Sequence, residues 1–330
     1  MAAAGDNGAG SGLVCVTGGS GFIGSWLVRL LLDRGYTVHA TVKDIQDEGE
    51  TKHLEALDGA GTRLRLFQMD LLDAASVTRA VDGVHGVFHL ASPFILHQAQ
   101  DPEGELLRPA VSGALNVLRA AKDCGVSRVV MVSSQTTNVP NPEWPADKLI
   151  DDDCWADVEL LKKNQHWYNV SKTLAEKAAW EFAAKEGGLQ LVVLNPGLVL
   201  GPMLTPSPTA SLRLLMQILG GQRIIGMDDF YVGCVDVRDV ALSLIVLYED
   251  PSAQGRHLCL ESFERLVDFH DRLAYLYPEF PIHRIQEDKQ GWVVKSKVAS
   301  KKLIGLGVQF IPFDKTIRDT VDCLRRKQYI

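Results

Sequence analysis

Tyr168 and Lys172 are the residues of this chain best suited to proton chemistry. Of the seven tyrosines, only Tyr168 has a lysine four residues later, and that spacing puts both side chains on one face of a helix. A free phenol has a pKa of about 10 and holds its proton at neutral pH. A neighbouring Lys⁺ and an oxidised nicotinamide both favour the phenolate, which brings the group nearer to working pH. A third group fits the set. Arg128–Val132 reads as a buried strand that ends in Ser133-Ser134. A serine hydroxyl there can orient a carbonyl and stabilise a developing oxyanion. The chemistry these types suggest is carbonyl reduction. Tyr168 protonates the oxygen as hydride arrives, Lys172 tunes the phenol and binds the nicotinamide ribose, and the serine steadies the carbonyl.

Such groups need a scaffold, and the N-terminal stretch supplies one. An apolar run, Leu13-Val14-Cys15-Val16, leads into Thr17-Gly18-Gly19-Ser20-Gly21-Phe22-Ile23-Gly24, and an amphipathic segment follows. Strand, glycine turn and helix in that order form a pyrophosphate cradle, in which helix-start amides face the anion. A second strand, Tyr36–Val42, ends at Lys43, where a base accommodates the 2′-phosphate of NADP and an acid would hold the ribose of NAD. Lys43 precedes Asp44, so the expected cofactor is NADP(H). Asp70 and Leu71, after a third strand at 64–69, read as an adenine clamp. The run Gly86–Leu90 reads as a buried parallel strand leading into Ala91-Ser92-Pro93, where small residues would let a nucleotide cross the strand end, with Leu90, Ala91 and Ser92 as cofactor contacts.

Strand and helix signals keep alternating: helices near 74–81, 106–122 and 168–185, and strands at 128–132 and 189–194. The expected fold is α/β, a Rossmann-type doubly wound parallel sheet with a smaller C-terminal substrate lobe. The expected divisions are a disordered tail over 1–12, a mainly NADP-binding domain over 13–199, and a mainly substrate-covering lobe over 200–330 that returns to the first domain. Prolines 140, 142 and 145 break the pattern over 138–166. Later signals suggest a strand at 231–235 and helices at 237–248, 263–276 and 316–326.

Composition excludes other classes. The 34 basic and 41 acidic residues give a net charge of −7, which argues against a nucleic-acid partner. No apolar run approaches the ~18 residues of a membrane span. Six scattered cysteines without a C-x-x-C pair read as reduced thiols in a cytoplasmic protein. His85 and His89 lack companion ligands, so no metal is expected. The expected partner is a small-molecule substrate, and the sequence does not speak to oligomeric state.

Taken together, the glycine turn, the Ser-Ser strand end and Tyr-x-x-x-Lys resemble the extended short-chain dehydrogenase/reductases. Four stretches are similar to the plant branch of cinnamoyl-CoA reductase and dihydroflavonol 4-reductase: Gly21–Val28, Val87–Pro93, Ser171–Trp180 and Asn195–Pro202. The resemblance covers essentially everything after residue 12. It implies NADPH-dependent reduction of a phenylpropanoid-type aldehyde, thioester or ketone, of the kind used in lignin biosynthesis. It also implies that the catalytic serine is Ser134, and that Pro196, Gly197, Leu198, Val199 and Ser211 contact the cofactor. Gln135, Asn138, Trp167 and Met203 are the candidate substrate neighbours. The chain departs from the branch around its tyrosine, reading His166-Trp167-Tyr168-Asn169-Val170-Ser171-Lys172 where cinnamoyl-CoA reductases carry Asn-Trp-Tyr-Cys-Tyr-Gly-Lys. The branch's 2′-phosphate arginine is Lys43 here, and its second base falls at Gly49, with Lys52 the nearby substitute. Two other readings of the same scaffold are a nucleotide-sugar epimerase or dehydratase with tightly held NAD, and a non-catalytic NADP(H)-binding regulator.

Overall fold

A computed structural model describes residues 12–93, 100–145, 150–222, 231–285 and 300–330. Seven strands form one parallel sheet: β1 (Leu13–Thr17), β2 (Thr37–Val42), β3 (Leu64–Gln68), β4 (Gly86–His89), β5 (Arg128–Val132), β6 (Gln190–Pro196) and, later in the chain, Gly255–Cys259. A three-stranded sheet contains β7 (Leu198–Leu200), β8 (Tyr231–Asp236) and Ser262–Arg265. In chain order the last two strands are β9 (Gly255–Cys259) and β10 (Ser262–Arg265). The large sheet runs β3-β2-β1-β4-β5-β6-β9. Its order reverses between β1 and β4, and ligands of such sheets bind beyond the strand ends at that switch.

Alternation along the strands divides the core. Val14 and Val16 of β1 pack on one face with Leu27, Leu31 and Leu244, while Cys15 packs on the other with Val117, Leu118 and Ala179. The first face is covered by α1 (Phe22–Asp33), with α2 (Glu48–Glu55) and α3 (Ala60–Arg63) near the β2–β3 edge. The second is covered by α4 (Ala74–Val81) and α5 (Arg108–Asp123). After the short α6 (Val158–Lys163), the long α7 (Trp167–Glu186) packs against α5 on this second face. The remaining helices are α8 (Ala210–Leu219), α9 (Val237–Glu249), α10 (Leu266–Leu276), α11 (Lys301–Gly305) and α12 (Phe313–Arg326). Of these, α9 packs on α1, so chain beyond residue 200 completes both the sheet and one of its layers.

Two local expectations change. The helix expected from 106 is preceded by a π-turn over Glu103–Leu107 and starts at Arg108, with Pro109 in its first turn, where a missing N–H is tolerated. The helix expected from 263 begins only at Leu266, because Phe263, Glu264 and Arg265 pair antiparallel with β8. Gly197 ends the run of β6. A Cβ there would come within 2.0 Å of the Gly233 carbonyl, so the chain can cross β8 closely only as glycine before entering the small sheet. Among the described residues, no helix is long and apolar enough to cross a membrane.

Candidate active site

The glycine turn takes the shape its sequence requires. Gly18 has φ +70, its amide donates to Thr41 Oγ1 at 2.9 Å, and the Gly19 amide donates to the Thr41 carbonyl at 2.9 Å. A Cβ on Gly24 would lie 2.1 Å from the Gly18 carbonyl, so helix and turn are in direct contact. Gly21 precedes α1 in an extended conformation, and no side chain caps the helix. The first amides of α1, at Phe22 and Ile23, therefore remain as anion donors. Thr17 supports the turn from beneath. Its Oγ1 accepts the amides of Leu90 at 3.0 Å and Ala91 at 3.1 Å and lies 2.9 Å from His89 Nδ1. Burial pushes the His89 imidazole down to about 3, so the ring is neutral; with two amides on the Thr17 oxygen, its hydroxyl is left to donate to Nδ1.

A cleft of about 560 Å³ opens beside this turn. It is lined by Gly18, Ser20, Gly21, Lys43, Asp70, Leu71, Leu90, Ala91 and Ser92 among the sequence candidates, and also by Glu50. Leu71 is fixed by Asn116, whose Nδ2 donates to its carbonyl at 2.8 Å. The Asp70 carboxylate turns back to accept the Leu72 amide at 2.9 Å. These groups fit a dinucleotide: uncapped amides for the pyrophosphate, and an apolar-walled slot continuing past the ends of β2 and β3. Lys52 does not line the cleft, and its ammonium pairs with Glu48 at 2.5 Å on the exposed side of α2.

Across the sheet, Tyr168 lies in the first turn of α7 and Lys172 one turn on. Lys172 is 5% exposed and donates from Nζ to the Val132 carbonyl at 3.1 Å. That bond ties the Tyr-x-x-x-Lys helix to the end of β5, where Ser134 begins a 3₁₀ turn over Gln135–Thr137. Ser134 Oγ accepts the Thr136 amide at 3.2 Å and the Thr136 hydroxyl at 3.0 Å. Ser133 points elsewhere, with its hydroxyl buried and unpartnered among the described residues. Burial raises Tyr168 to about 12 and lowers Lys172 to about 8, with Glu176 opposing the second shift. Loss of hydration is what moves the phenol here, and it moves it upward.

Beneath the Ser134 turn lies a buried polar network that the sequence did not announce. Glu176, one turn beyond Lys172, accepts Arg256 Nε at 2.6 Å on Oε1. Its Oε2 takes Asn195 Nδ2 at 2.9 Å and the Thr137 hydroxyl at 2.8 Å. Arg256 Nη1 reaches the carbonyls of Asp152 at 2.9 Å and Cys154 at 2.6 Å, so β9 and α7 together hold the proline-rich excursion. The guanidinium also lies 3.8 Å from the centre of the Trp155 ring. The available signal was positional: residues 168, 172 and 176 repeat every four along one helix face.

The remaining candidates divide. Gln135 Oε1 is buried against Gly233, at the junction of the two sheets. Asn138 is wholly buried, donates to the Asp151 carbonyl at 3.1 Å and accepts from Arg256, so it braces the turn instead of facing a ligand. Trp167 packs with Leu161 and Val170. Met203 is in the main core. Pro196 ends β6, Leu198 and Val199 form β7, and Ser211 lies in the first turn of α8. None of these lines the 560 Å³ cleft. His85 Nδ1 accepts the Leu13 amide at 3.3 Å. Among the described residues, no group of three or more His, Cys, Asp or Glu could hold a metal ion.

Residues 14–258 match the NAD dependent epimerase/dehydratase family. The chain belongs to that family. It is 41% identical over 320 residues to cinnamoyl-CoA reductase CAD2 of Medicago truncatula, which spans 96% of this chain and 97% of the relative. The crystal structure of vestitone reductase from alfalfa (Medicago sativa) superposes with a TM-score of 0.80 at 30% identity, covering 97% of this chain and all of that one. The yeast methylglyoxal/isovaleraldehyde reductase Gre2 complexed with NADPH gives 0.79 at 25% identity, covering 96% and 100%. The family member described here is an oxidoreductase with the extended short-chain reductase fold.

Proposed function

We propose that the protein is an NADPH-dependent reductase of a phenylpropanoid-type carbonyl, a hydroxycinnamoyl-CoA thioester or hydroxycinnamaldehyde, working through Ser134, Tyr168 and Lys172. The observation that carries the reading is the Lys172 Nζ–Val132 carbonyl bond, which joins the tyrosine helix to the strand end bearing Ser134. The likeness to cinnamoyl-CoA reductases over nearly the whole chain supports the substrate class, and the NADPH-bound structural neighbour supports the cofactor.

The cofactor supplies hydride when bound. The chain's own groups do the rest. Amides at the start of α1 and the cleft beside Gly18 hold the dinucleotide. Ser134 accepts from Thr136 twice, which leaves its own proton to donate to the substrate oxygen. Tyr168 holds its proton across the physiological range and gives it to that oxygen as negative charge develops; an aldehyde is thereby reduced to the alcohol, and a thioester to a hemithioacetal whose C–S bond then breaks, the hydroxyl proton passing to the departing CoA sulfur and leaving the aldehyde. Lys172 has donors beyond the one spent on Val132, and these would bind the nicotinamide ribose and stabilise the phenolate left behind. The test is NADPH oxidation across hydroxycinnamoyl-CoA esters, hydroxycinnamaldehydes and dihydroflavonols. Turnover of the first two classes is expected. Turnover of dihydroflavonols alone would move the assignment to the ketone reductases of the branch.

A further inference from the structure

The ribose end of the cleft is acidic. Among the described residues that line it, Lys43 is the one cation, and Glu50 and Asp70 are carboxylates. Asp70 Oδ1 accepts the Leu72 amide within its own turn, past the end of β3. Glu50 faces the end of β2 from α2: its Oε2 accepts the Lys43 amide at 2.6 Å and the Asp44 amide at 3.4 Å. Both bonds use Oε2, so Oε1 remains to accept from a ligand. Lys52, the other nearby base, is occupied by Glu48.

We infer that Glu50 sets the discrimination between NADP(H) and NAD(H), and that the protein binds both. The inference rests on the dinucleotide reading of the cleft. A ribose 2′-hydroxyl can donate to Glu50 Oε1, the role an acid plays at the end of this strand. A 2′-phosphate must instead approach a carboxylate held in place by two backbone amides. Lys43 attracts it, but as an exposed point charge without a bidentate fork. The two neighbours therefore act in opposition on the phosphate, whereas both can bond a hydroxyl. Neither Gly49 nor Lys52 is the second determinant. The chain turns Glu50 into the pocket, with Asp47 accepting the Gly49 amide at 2.8 Å to start α2.

The test is calorimetric titration of the full chain with NADPH and NADH. Both are expected to bind. Glu50→Gln removes the charge and keeps a carbonyl for the Lys43 amide. It is expected to tighten NADPH by about tenfold, the order of one unit-charge repulsion near a protein surface, while NADH weakens slightly. Lys43→Ala should do the reverse, weakening NADPH more than NADH. 2′,5′-ADP should follow NADPH in both variants, and 5′-ADP should follow NADH. A wild-type protein that binds NADPH but not NADH, or a Glu50→Gln ratio equal to wild type in a variant that melts normally, overturns the assignment to Glu50. Binding of neither dinucleotide overturns the dinucleotide reading itself and this inference with it.

Discussion

Arg256 Nε donates to Glu176 Oε1 at 2.6 Å, and both side chains are sealed from water. The pair joins the edge strand β9 to the helix that carries Tyr168 and Lys172. Through Thr137 and Asn138, it also fixes the turn that carries Ser134. Breaking such a pair on one side leaves a buried charge uncompensated, at a cost of about 3–5 kcal/mol. Arg256→Met should therefore lower the free energy of unfolding by that order in urea denaturation. The double variant Glu176→Met with Arg256→Met should regain much of the loss. Equal stability of Arg256→Met and wild type would show that the network is not what braces the turn.

Lys172 sets the expected pH dependence of turnover. Its buried ammonium loses its proton near 8, while Tyr168 keeps its own to about 12. The reductive kcat/KM should be level from pH 6 to 7.5 and fall above about 8 as Lys172 loses its charge. A steady-state pH profile at saturating NADPH checks this. A profile that stays level to pH 10 would remove Lys172 from the protonation steps.

The same burial makes Lys172 a cost to the fold. Its folded pKa, about 8, lies below the ordinary 10.5. The unfolded chain therefore binds more protons between those values, and stability rises with pH across that window. Below it the penalty is complete, about 3 kcal/mol from the size of the shift. Lys172→Met should unfold at a higher temperature than wild type at pH 7 while turnover falls at least about 10²-fold. Differential scanning calorimetry on that variant distinguishes this from a merely structural lysine, whose loss would lower the melting temperature.

Two buried histidines work against the fold in acid. His89 is held down to about 3 and His257 to about 4, both chiefly by burial. A depressed histidine gives an unfolded state that takes up protons first, so stability is lost as pH falls from about 6.5 towards 4. Each histidine contributes a slope of about 1.4 kcal/mol per pH unit. Urea midpoints measured from pH 7 to 4.5 should fall steadily, and His257→Gln should flatten the slope. An unchanged slope would mean that His257 titrates alike in both states.

The sequence made the parallel sheet and its nucleotide edge legible because both depend on local patterns. Strand runs such as Val129–Val132 are continuous apolar segments, and the turn Thr17–Gly24 needs glycine where a Cβ would strike a carbonyl. The proton-transfer candidates Tyr168 and Lys172 were visible because helical spacing places both on one face. What stayed hidden depends on distant pairing. β9 joins β6 from 63 residues away in sequence, and Glu176 meets Arg256 only once that pairing forms. Glu50 was hidden for a smaller reason: the branch places its second base at the position of Gly49, while the register of α2 brings the acid beside it into the cleft.

The central claim is that Tyr168 delivers the proton. Tyr168→Phe removes one oxygen and keeps the ring, so the helix and the dinucleotide cleft should persist. Single-turnover NADPH oxidation with a hydroxycinnamaldehyde, measured alongside NADPH binding by calorimetry, tests the claim. Unchanged NADPH affinity and a rate lower by about 10²-fold or more are expected. A variant that binds NADPH and oxidises it at the wild-type rate would contradict it.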